Sequence, residues 1–213
     1  MKLYIHSLTL MGMLLLSGCG GVTDWVEDTF SQGESYSYNK NLIKEYLRSE
    51  RIYDQFTTIA IFDALWLSDE VRTEYADVYV KMHGRSADFR NTFLRRQLKA
   101  NSTEISLYVL SLNQISLNVK PHQWLLHLEI DGQKYLPSSV KSAELTPEYI
   151  LFFGKSLTNH KRVYEVKFDK KDADGKEVLH EESKKMALIF SGPQQYRTME
   201  WNLTSEPREK EEA

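Results

Sequence analysis

The sequence predicts a mainly β protein that also contains helix. Several short segments after residue 103 alternate apolar and polar residues, which is typical of strands with one buried face. Turn-forming residues separate these segments, whereas residues 69–99 repeat apolar residues with the period of a helix. The chain of 213 residues is 41% hydrophobic and 27% charged, which suits one globular domain. We therefore expect an immunoglobulin-like antiparallel β-sandwich with an inserted helical hairpin.

The folded body is expected to span residues 41–204 and to begin with a helix and a long strand. The spacing of Leu42, Ile43, Tyr46 and Leu47 predicts a short helix that runs through about Arg51. The segment from Tyr53 to Leu67 is rich in β-branched and aromatic residues and predicts one long strand. Periodicity alone also permits a buried helix in this segment.

The inserted hairpin is predicted for residues 69–99. Ser68 is a candidate N-cap, and the two acidic residues after it suit the positive end of a helix dipole. Apolar residues then recur at helical spacing up to Gly84, at Val71, Tyr75, Val78 and Met82. Ser86 is a candidate N-cap for a second helix, whose apolar side would carry Phe89, Phe93, Leu94 and Leu98.

The rest of the body predicts short strands, so that the domain has about six or seven in all. Residues 103–112 and 124–130 alternate, and Asp131-Gly132 is a tight-turn signal. A short apolar strand is expected at Tyr149 to Phe153. Further alternating segments carry Tyr164, Val166 and Phe168, then Met186, Leu188 and Phe190, and finally Met199, Trp201 and Leu203. We expect Trp124 and Trp201 to anchor the core.

The N-terminus carries the most specific signal in the sequence. Lys2 precedes an apolar run, Leu3 to Leu16, that is shorter than the roughly 20 residues a bilayer-spanning helix needs. Residues 1–18 therefore predict a cleavable export signal. The following Leu16-Ser17-Gly18-Cys19 resembles the lipobox of bacterial lipoproteins. That resemblance implies a diacylglyceryl group on the Cys19 thiol, cleavage before Cys19 and acylation of its amine, for example by palmitate.

Cysteine usage and the next residues agree with a lipid anchor. Cys19 is the only cysteine, so no intramolecular disulfide can form, and lipidation would cap the lone thiol. Several acyl chains would hold the protein firmly on a membrane. Residues 19–40 are expected to be the lipidated N-terminus and a tether. Within them, Trp25, Val26, Thr29 and Phe30 share one helical face, which favours docking on the domain over a membrane-proximal turn.

The resemblance also implies a location. We expect the cell envelope, with the anchor in the outer membrane and the body facing the periplasm. Gly20 follows the cysteine, in place of the aspartate that tends to retain lipoproteins of enteric bacteria in the inner membrane. At the other end of the chain, residues 205–213 are charged and are expected to be a disordered tail.

The sequence predicts no catalytic residue, metal site or cofactor. The histidines of the mature chain do not match a zinc-binding pattern and are interpreted as surface residues: His83, His122, His127, His160 and His180. Residues 169–175 faintly resemble a calcium loop, but Lys170 occupies the first ligand position, so a solvated hairpin turn is the favoured interpretation. No Gly-x-Ser-x-Gly elbow and no phosphate-binding glycine loop is present.

Charge bears on the choice of partner. The net charge is −3, or about −4 after removal of Lys2, which argues against nucleic acid as the main partner. A basic cluster at Arg95, Arg96 and Lys99 is interpreted as the solvated face of a helix. The leading hypothesis is a membrane-anchored binding or structural module that contacts other envelope proteins. The alternative is a periplasmic carrier of an apolar ligand, which predicts an enclosed cavity.

Overall fold

A computed structural model of the chain describes residues 37–54, 57–112, 115, 117, 124–192 and 195–203. These residues form four α-helices: α1 (Lys40–Tyr46), α2 (Asp69–Met82), α3 (Ala87–Asn101) and α4 (Pro147–Phe153). They also form nine strands: β1 (Leu47–Asp54), β2 (Thr57–Trp66), β3 (Glu104–Leu112), β4 (Leu125–Ile130), β5 (Gln133–Tyr135), β6 (Ser139–Ser142), β7 (Lys161–Asp169), β8 (Lys185–Ser191) and β9 (Tyr196–Asn202). A 3-10 turn at Gly154–Ser156 follows α4.

The strands form two antiparallel sheets, which confirms the predicted β-sandwich with helices. One sheet has the order β1-β2-β3-β7-β6, and the other has the order β5-β4-β8-β9. When β2 to β9 are named A, B, C, C′, D, E, F and G, the sheets read A-B-E-D and C′-C-F-G. That is the strand order of immunoglobulin-like domains. The α2–α3 hairpin is inserted between the first two of these strands, and β1 is an additional strand on the edge of the first sheet.

The main core fills the space between the two sheets. The rings of Phe62 and Phe190, from opposite sheets, stack with centroids 4.2 Å apart, and Trp124 meets Phe62 edge-on at 5.3 Å. Trp124 and Trp201 are 7% and 1% exposed, as expected of core anchors. Trp124 packs so closely on Gly192 that a Cβ there would stand 2.8 Å from its ring atoms. A side chain at position 192 would therefore displace the indole.

A second hydrophobic cluster lies between the helices and the outer face of the five-stranded sheet. Leu65 and Leu110 project from the strands into this cluster, where they pack with residues of α2 and α4. The rings of Tyr75 on α2 and Tyr149 on α4 stack at 4.4 Å. Strand β3 is consequently buried on both faces, because Leu107 and Val109 point to the main core while Leu110 points to the helices.

The predicted helical hairpin is confirmed, including both caps. The Ser68 hydroxyl accepts a hydrogen bond from the amide of Val71, and the Ser86 hydroxyl accepts one from the amide of Phe89. The tight turn at Asp131-Gly132 is also confirmed, since both residues have positive φ and the turn joins β4 to β5.

The start of the domain differs from the prediction. The first helix ends at Tyr46, and Leu47 begins a strand instead of continuing the helix to about Arg51. The predicted strand from Tyr53 to Leu67 is confirmed over Thr57–Trp66, where β2 lies, and the alternative of a buried helix does not apply there. Its predicted start is wrong, because Tyr53 and Asp54 end β1, which pairs antiparallel with β2. Ile52 lies in β1 and is completely buried in the main core.

The predicted strand at Tyr149 to Phe153 is also wrong, because these residues belong to α4. Pro147 occupies the first turn, where a proline suits a helix. Tyr149, Phe152 and Phe153 then lie on one side of the helix and are buried in the second cluster. Nine strands are present among the described residues, more than predicted, because β1, β5 and β6 lack a strong alternating pattern.

Candidate functional site

A groove lies where the edges of the two sheets meet, beside β1 and β9. We call it the edge groove. It has a volume of about 370 Å³ and is lined by Glu45, Tyr46, Arg48, Trp66, Glu70, Trp201, Asn202 and Leu203. These residues come from the end of α1, the start of β1, the end of β2, the first turn of α2 and the end of β9. The groove therefore depends on both sheets and on the helical insertion.

Aromatic rings form the floor of the edge groove. Trp66 meets Tyr46 edge-on at 5.5 Å and Trp201 edge-on at 6.4 Å. The indole N–H of Trp201 donates a 2.9 Å hydrogen bond to the carbonyl of Tyr46, which joins β9 to the end of α1. Because Trp201 is buried in the main core, this bond fixes the position of Tyr46 relative to the sandwich.

Arg48 forms one wall of the groove and is held by the backbone. Its Nε donates to the carbonyl of Glu200 at 2.7 Å, and one Nη donates to the carbonyls of Lys44 and Leu47 at 3.0 Å. The guanidinium carbon lies 5.7 Å from the Trp201 ring centroid, within the range of a cation–π contact. Partial burial lowers the pKa of Arg48, although the nearby Glu45 opposes that shift.

A smaller pocket of about 210 Å³ shares Trp66 and Glu70 with the edge groove. The side chain of Asn101 fixes one side of it by donating to the Leu67 carbonyl at 3.0 Å and to Asp69 Oδ1 at 2.7 Å. Asn101 also accepts a 2.7 Å hydrogen bond from Nε of Arg72. The end of α3 is thereby tied to the start of α2, directly beside the groove.

The surroundings of the Tyr46 hydroxyl in the groove shift its pKa. Burial and then the negative charge of Glu70 raise the pKa of Tyr46 to about 12. The phenol is protonated at neutral pH, as an ordinary tyrosine is, and can donate a hydrogen bond. An aromatic floor beside a fixed guanidinium and carboxylates suits stacking and hydrogen bonding to a partner. Neither histidine nor cysteine lies among the residues that line the two pockets.

The histidines that the structure describes do not line this groove. Cys19, and the whole segment that resembles a lipobox, lie outside the described residues, as does His122. His83 contacts Glu148 at 3.1 Å, and Nδ1 of His180 lies 2.6 Å from the Ser183 hydroxyl. Within the described ranges, no three metal-ligating side chains come together.

The segment that faintly resembles a calcium loop, residues 169–175, contains a hydrogen-bonded turn. Asp172 accepts hydrogen bonds from the amides of Asp174 and Lys176, both at 2.9 Å, in a turn closed by a bridge between Lys171 and Glu177. The structure thus shows the solvated hairpin turn that was favoured over a calcium loop.

Glu148 is fully buried, and its second oxygen has no hydrogen-bond partner among the described residues.

Sequence reasoning missed Tyr46, Arg48 and Trp66 as neighbours in a site. Each stands near the end of a helix or strand, and aromatic residues at such positions are the signal that was available. The sequence could not show that β1 and β9 lie side by side, because they belong to different sheets and are separated by nearly the whole domain.

Comparison with known proteins gives no relative. No protein-family model, no curated protein and no solved structure matches the chain. Among the helices of the described ranges, none combines the length and the apolar character required to cross a membrane.

Proposed function

We propose that the protein is a lipoprotein of the bacterial cell envelope, anchored through Cys19, whose β-sandwich binds other envelope proteins through the edge groove. The observation that carries the binding role is the groove itself. It presents the half-buried rings of Tyr46 and Trp66 beside a guanidinium fixed by three backbone carbonyls. Buried aromatic and arginine side chains are the groups that most often dominate protein interfaces.

The anchoring role is supported by the sequence around Cys19. An export signal, a lipobox-like segment and a lone cysteine occur together at the N-terminus. The described domain begins near Tyr38, and the chain between Cys19 and this point would span up to about 60 Å if it were fully extended.

The alternative of an apolar-ligand carrier receives no support from the space between the sheets. That space is occupied by stacked and interlocking side chains such as Phe62, Phe190 and Trp124. The grooves described above lie at the surface instead.

Substitution of the anchoring cysteine tests the first part of the proposal. In cells that express the full chain, Cys19→Ser should move the protein from the membrane fraction to the soluble periplasmic fraction and abolish labelling by a palmitate analogue. Gly20→Ser is the matched control and should leave both fractionation and labelling unchanged. A Cys19→Ser protein that stays in the membrane fraction would contradict the anchoring proposal.

Site-specific cross-linking tests the groove. A photoreactive residue in place of Asn202, which is exposed at the groove, should give a discrete adduct with an envelope protein. Glu70→Lys, which reverses a charge in the groove, should weaken that adduct. The same photoreactive residue at Lys141, an exposed position on β6, is the control. Equal adducts at both positions, or an adduct insensitive to Glu70→Lys, would exclude the groove as the interface.

A further inference from the structure

The outward face of α3 is exposed over its whole length. None of its 15 residues is buried, although the helix lies against α2. Phe89 is 38% exposed, and the rest of its ring packs near Tyr79 of α2 and Phe93 of α3. Arg95, Arg96 and Lys99 are exposed on the same helix. We call these four side chains the α3 face.

The α3 face is strongly basic in a protein that is acidic overall. Helix α3 carries four basic residues and one acidic residue, a net charge of +3, whereas the whole chain has −3. Arg90 forms a bidentate pair with Asp77 of α2 and is therefore neutralised. In the described part of the chain, Arg95, Arg96 and Lys99 form no ion pair. Their charges remain available to an external anion.

The apolar part of the face adjoins the charges. A shallow depression of about 310 Å³ is lined by Asp88, Phe89, Thr92, Phe93 and Arg96, so aromatic rings and a guanidinium share one surface. The Arg85 guanidinium also lies 5.5 Å from the Phe89 ring centroid. Basic side chains flanking an exposed aromatic ring are characteristic of helices that lie on anionic bilayers.

The first described residues of the chain contact the helical layer. The Tyr38 hydroxyl donates to the Leu151 carbonyl of α4, and the Asn39 amide donates to Glu74 of α2. Even fully extended, the roughly 18 residues between Cys19 and Ser37 reach only about 60 Å. A lipid-anchored body would thus remain near the bilayer at a high effective concentration, so weak surface binding would suffice.

We propose that the α3 face docks on the anionic surface of a phospholipid bilayer. The idea that this is the bilayer holding the anchor rests on the proposed function, whereas the affinity of the face for anionic lipid does not. The anchor proposed at Cys19 favours a membrane over nucleic acid, because it would hold the α3 face close to a bilayer. Docking through α3 would orient the body relative to the bilayer.

Vesicle binding tests the proposal without the anchor. The chain from Gly20 to Ala213 contains both hydrophobic clusters and lacks Cys19, so any binding is independent of the lipid anchor, and the variants below measure the share that α3 contributes. In co-sedimentation this chain should bind vesicles of 70% phosphatidylcholine and 30% phosphatidylglycerol. The binding should weaken as the salt concentration rises, and the chain should not bind vesicles of phosphatidylcholine alone. The double variant Arg95→Gln, Arg96→Gln should bind about 25-fold more weakly, since each basic residue near such a surface contributes about five-fold.

The control is a double variant with the same loss of charge elsewhere. Lys134→Gln, Lys141→Gln alters two exposed lysines on β5 and β6 and should bind as the unaltered chain does, apart from a small non-specific loss. Phe89→Ser should also weaken binding, and the loss that it causes should depend less on salt than the loss in the arginine double variant. Circular dichroism of each variant verifies that the fold is retained.

Three results would overturn the proposal: no binding to the anionic vesicles, equal weakening by both double variants, or tighter α3-dependent binding to a DNA oligonucleotide. None of them bears on lipidation, which the fractionation of Cys19→Ser measures separately. If the chain is anchored through Cys19 but does not bind anionic vesicles, the proposed function stands and this inference alone is wrong.

Discussion

The main core and the helical hairpin are stabilised in different ways. Between the sheets, large apolar side chains such as Phe62 and Phe190 are fully buried and in direct contact. In the hairpin, α3 buries no residue completely and is attached to α2 by polar side chains as well as by rings. Tyr79 and Phe93 stack at 4.5 Å, but both remain partly exposed. The sandwich is thus a scaffold to which α2 is attached by buried side chains such as Val71 and Tyr75, whereas α3 is a surface helix held mainly by its contacts with α2.

This difference bears on where function can lie. A region that contributes little to the core is free to carry exposed apolar and charged groups, as the α3 face does. The edge groove stands between the two regions, because Trp201 belongs to the core while Glu70 belongs to the hairpin. Damage to the core should therefore reach the whole molecule, and damage to the hairpin should remain local.

The largest effect is expected from the core. Phe62→Ala removes a ring that stacks on Phe190 and meets Trp124, and it should lower the free energy of unfolding by about 3 to 5 kcal/mol. Urea denaturation measures this loss. Tyr196→Ala, at a residue that is 69% exposed, is the control and should change stability by less than about 0.5 kcal/mol. Similar losses in the two variants would contradict the distinction between scaffold and surface.

A smaller effect is expected where the hairpin is tied together. Asn101→Ala removes three hydrogen bonds, to Leu67, Asp69 and Arg72, and should lower stability by about 1 to 3 kcal/mol. Hydrogen exchange should accelerate in α3 and remain slow in β3 and β8. Asn91→Ala, at an exposed position of α3, should have almost no effect. Faster exchange throughout the strands would show that the hairpin and the sandwich open together.

The cap of α3 should contribute less still. Ser86→Ala removes the hydroxyl that accepts from the Phe89 amide, and should lower stability by about 1 kcal/mol. Hydrogen exchange should accelerate in the first turn of α3. Ser86→Asp retains a capping oxygen and should keep exchange slow in that turn. If hydrogen exchange in this turn is as fast in Ser86→Asp as in Ser86→Ala, loss of the capping hydrogen bond does not explain the effect of Ser86→Ala.

The Tyr46 hydroxyl, at the junction between the regions, should make stability depend on pH in the alkaline range. The folded-state pKa of Tyr46, about 12, lies above the value of about 10 expected for an unfolded chain. The resulting stabilisation is fully present below pH 10 and is lost as pH rises through 12. Tyr46→Phe should therefore flatten the decline of unfolding free energy between pH 10 and 12. Tyr53→Phe, at an exposed residue, should leave the decline unchanged.

The fold was predictable where local pattern and tertiary burial agree. Tyr164, Val166 and Phe168 alternate with charged residues in the sequence, and all three are buried in β7. The caps at Ser68 and Ser86 are likewise local, because each hydroxyl bonds an amide three residues further along. Prediction failed at residues 149–153, because a short apolar run has no distinguishing period and its burial against α2 makes a helix as favourable as a strand.

The sequence by itself determined the class of the domain, the helical insertion, both aromatic anchors and the prediction of a lipid anchor at Cys19. These features depend on residue type, spacing and neighbours along the chain. Only the tertiary structure decided that Leu47–Asp54 is a strand, that Tyr46, Trp66 and Trp201 meet in one groove, and that the α3 face stays uncovered. Each of these depends on contacts between segments far apart in the sequence, which the periodicity of a single segment cannot predict.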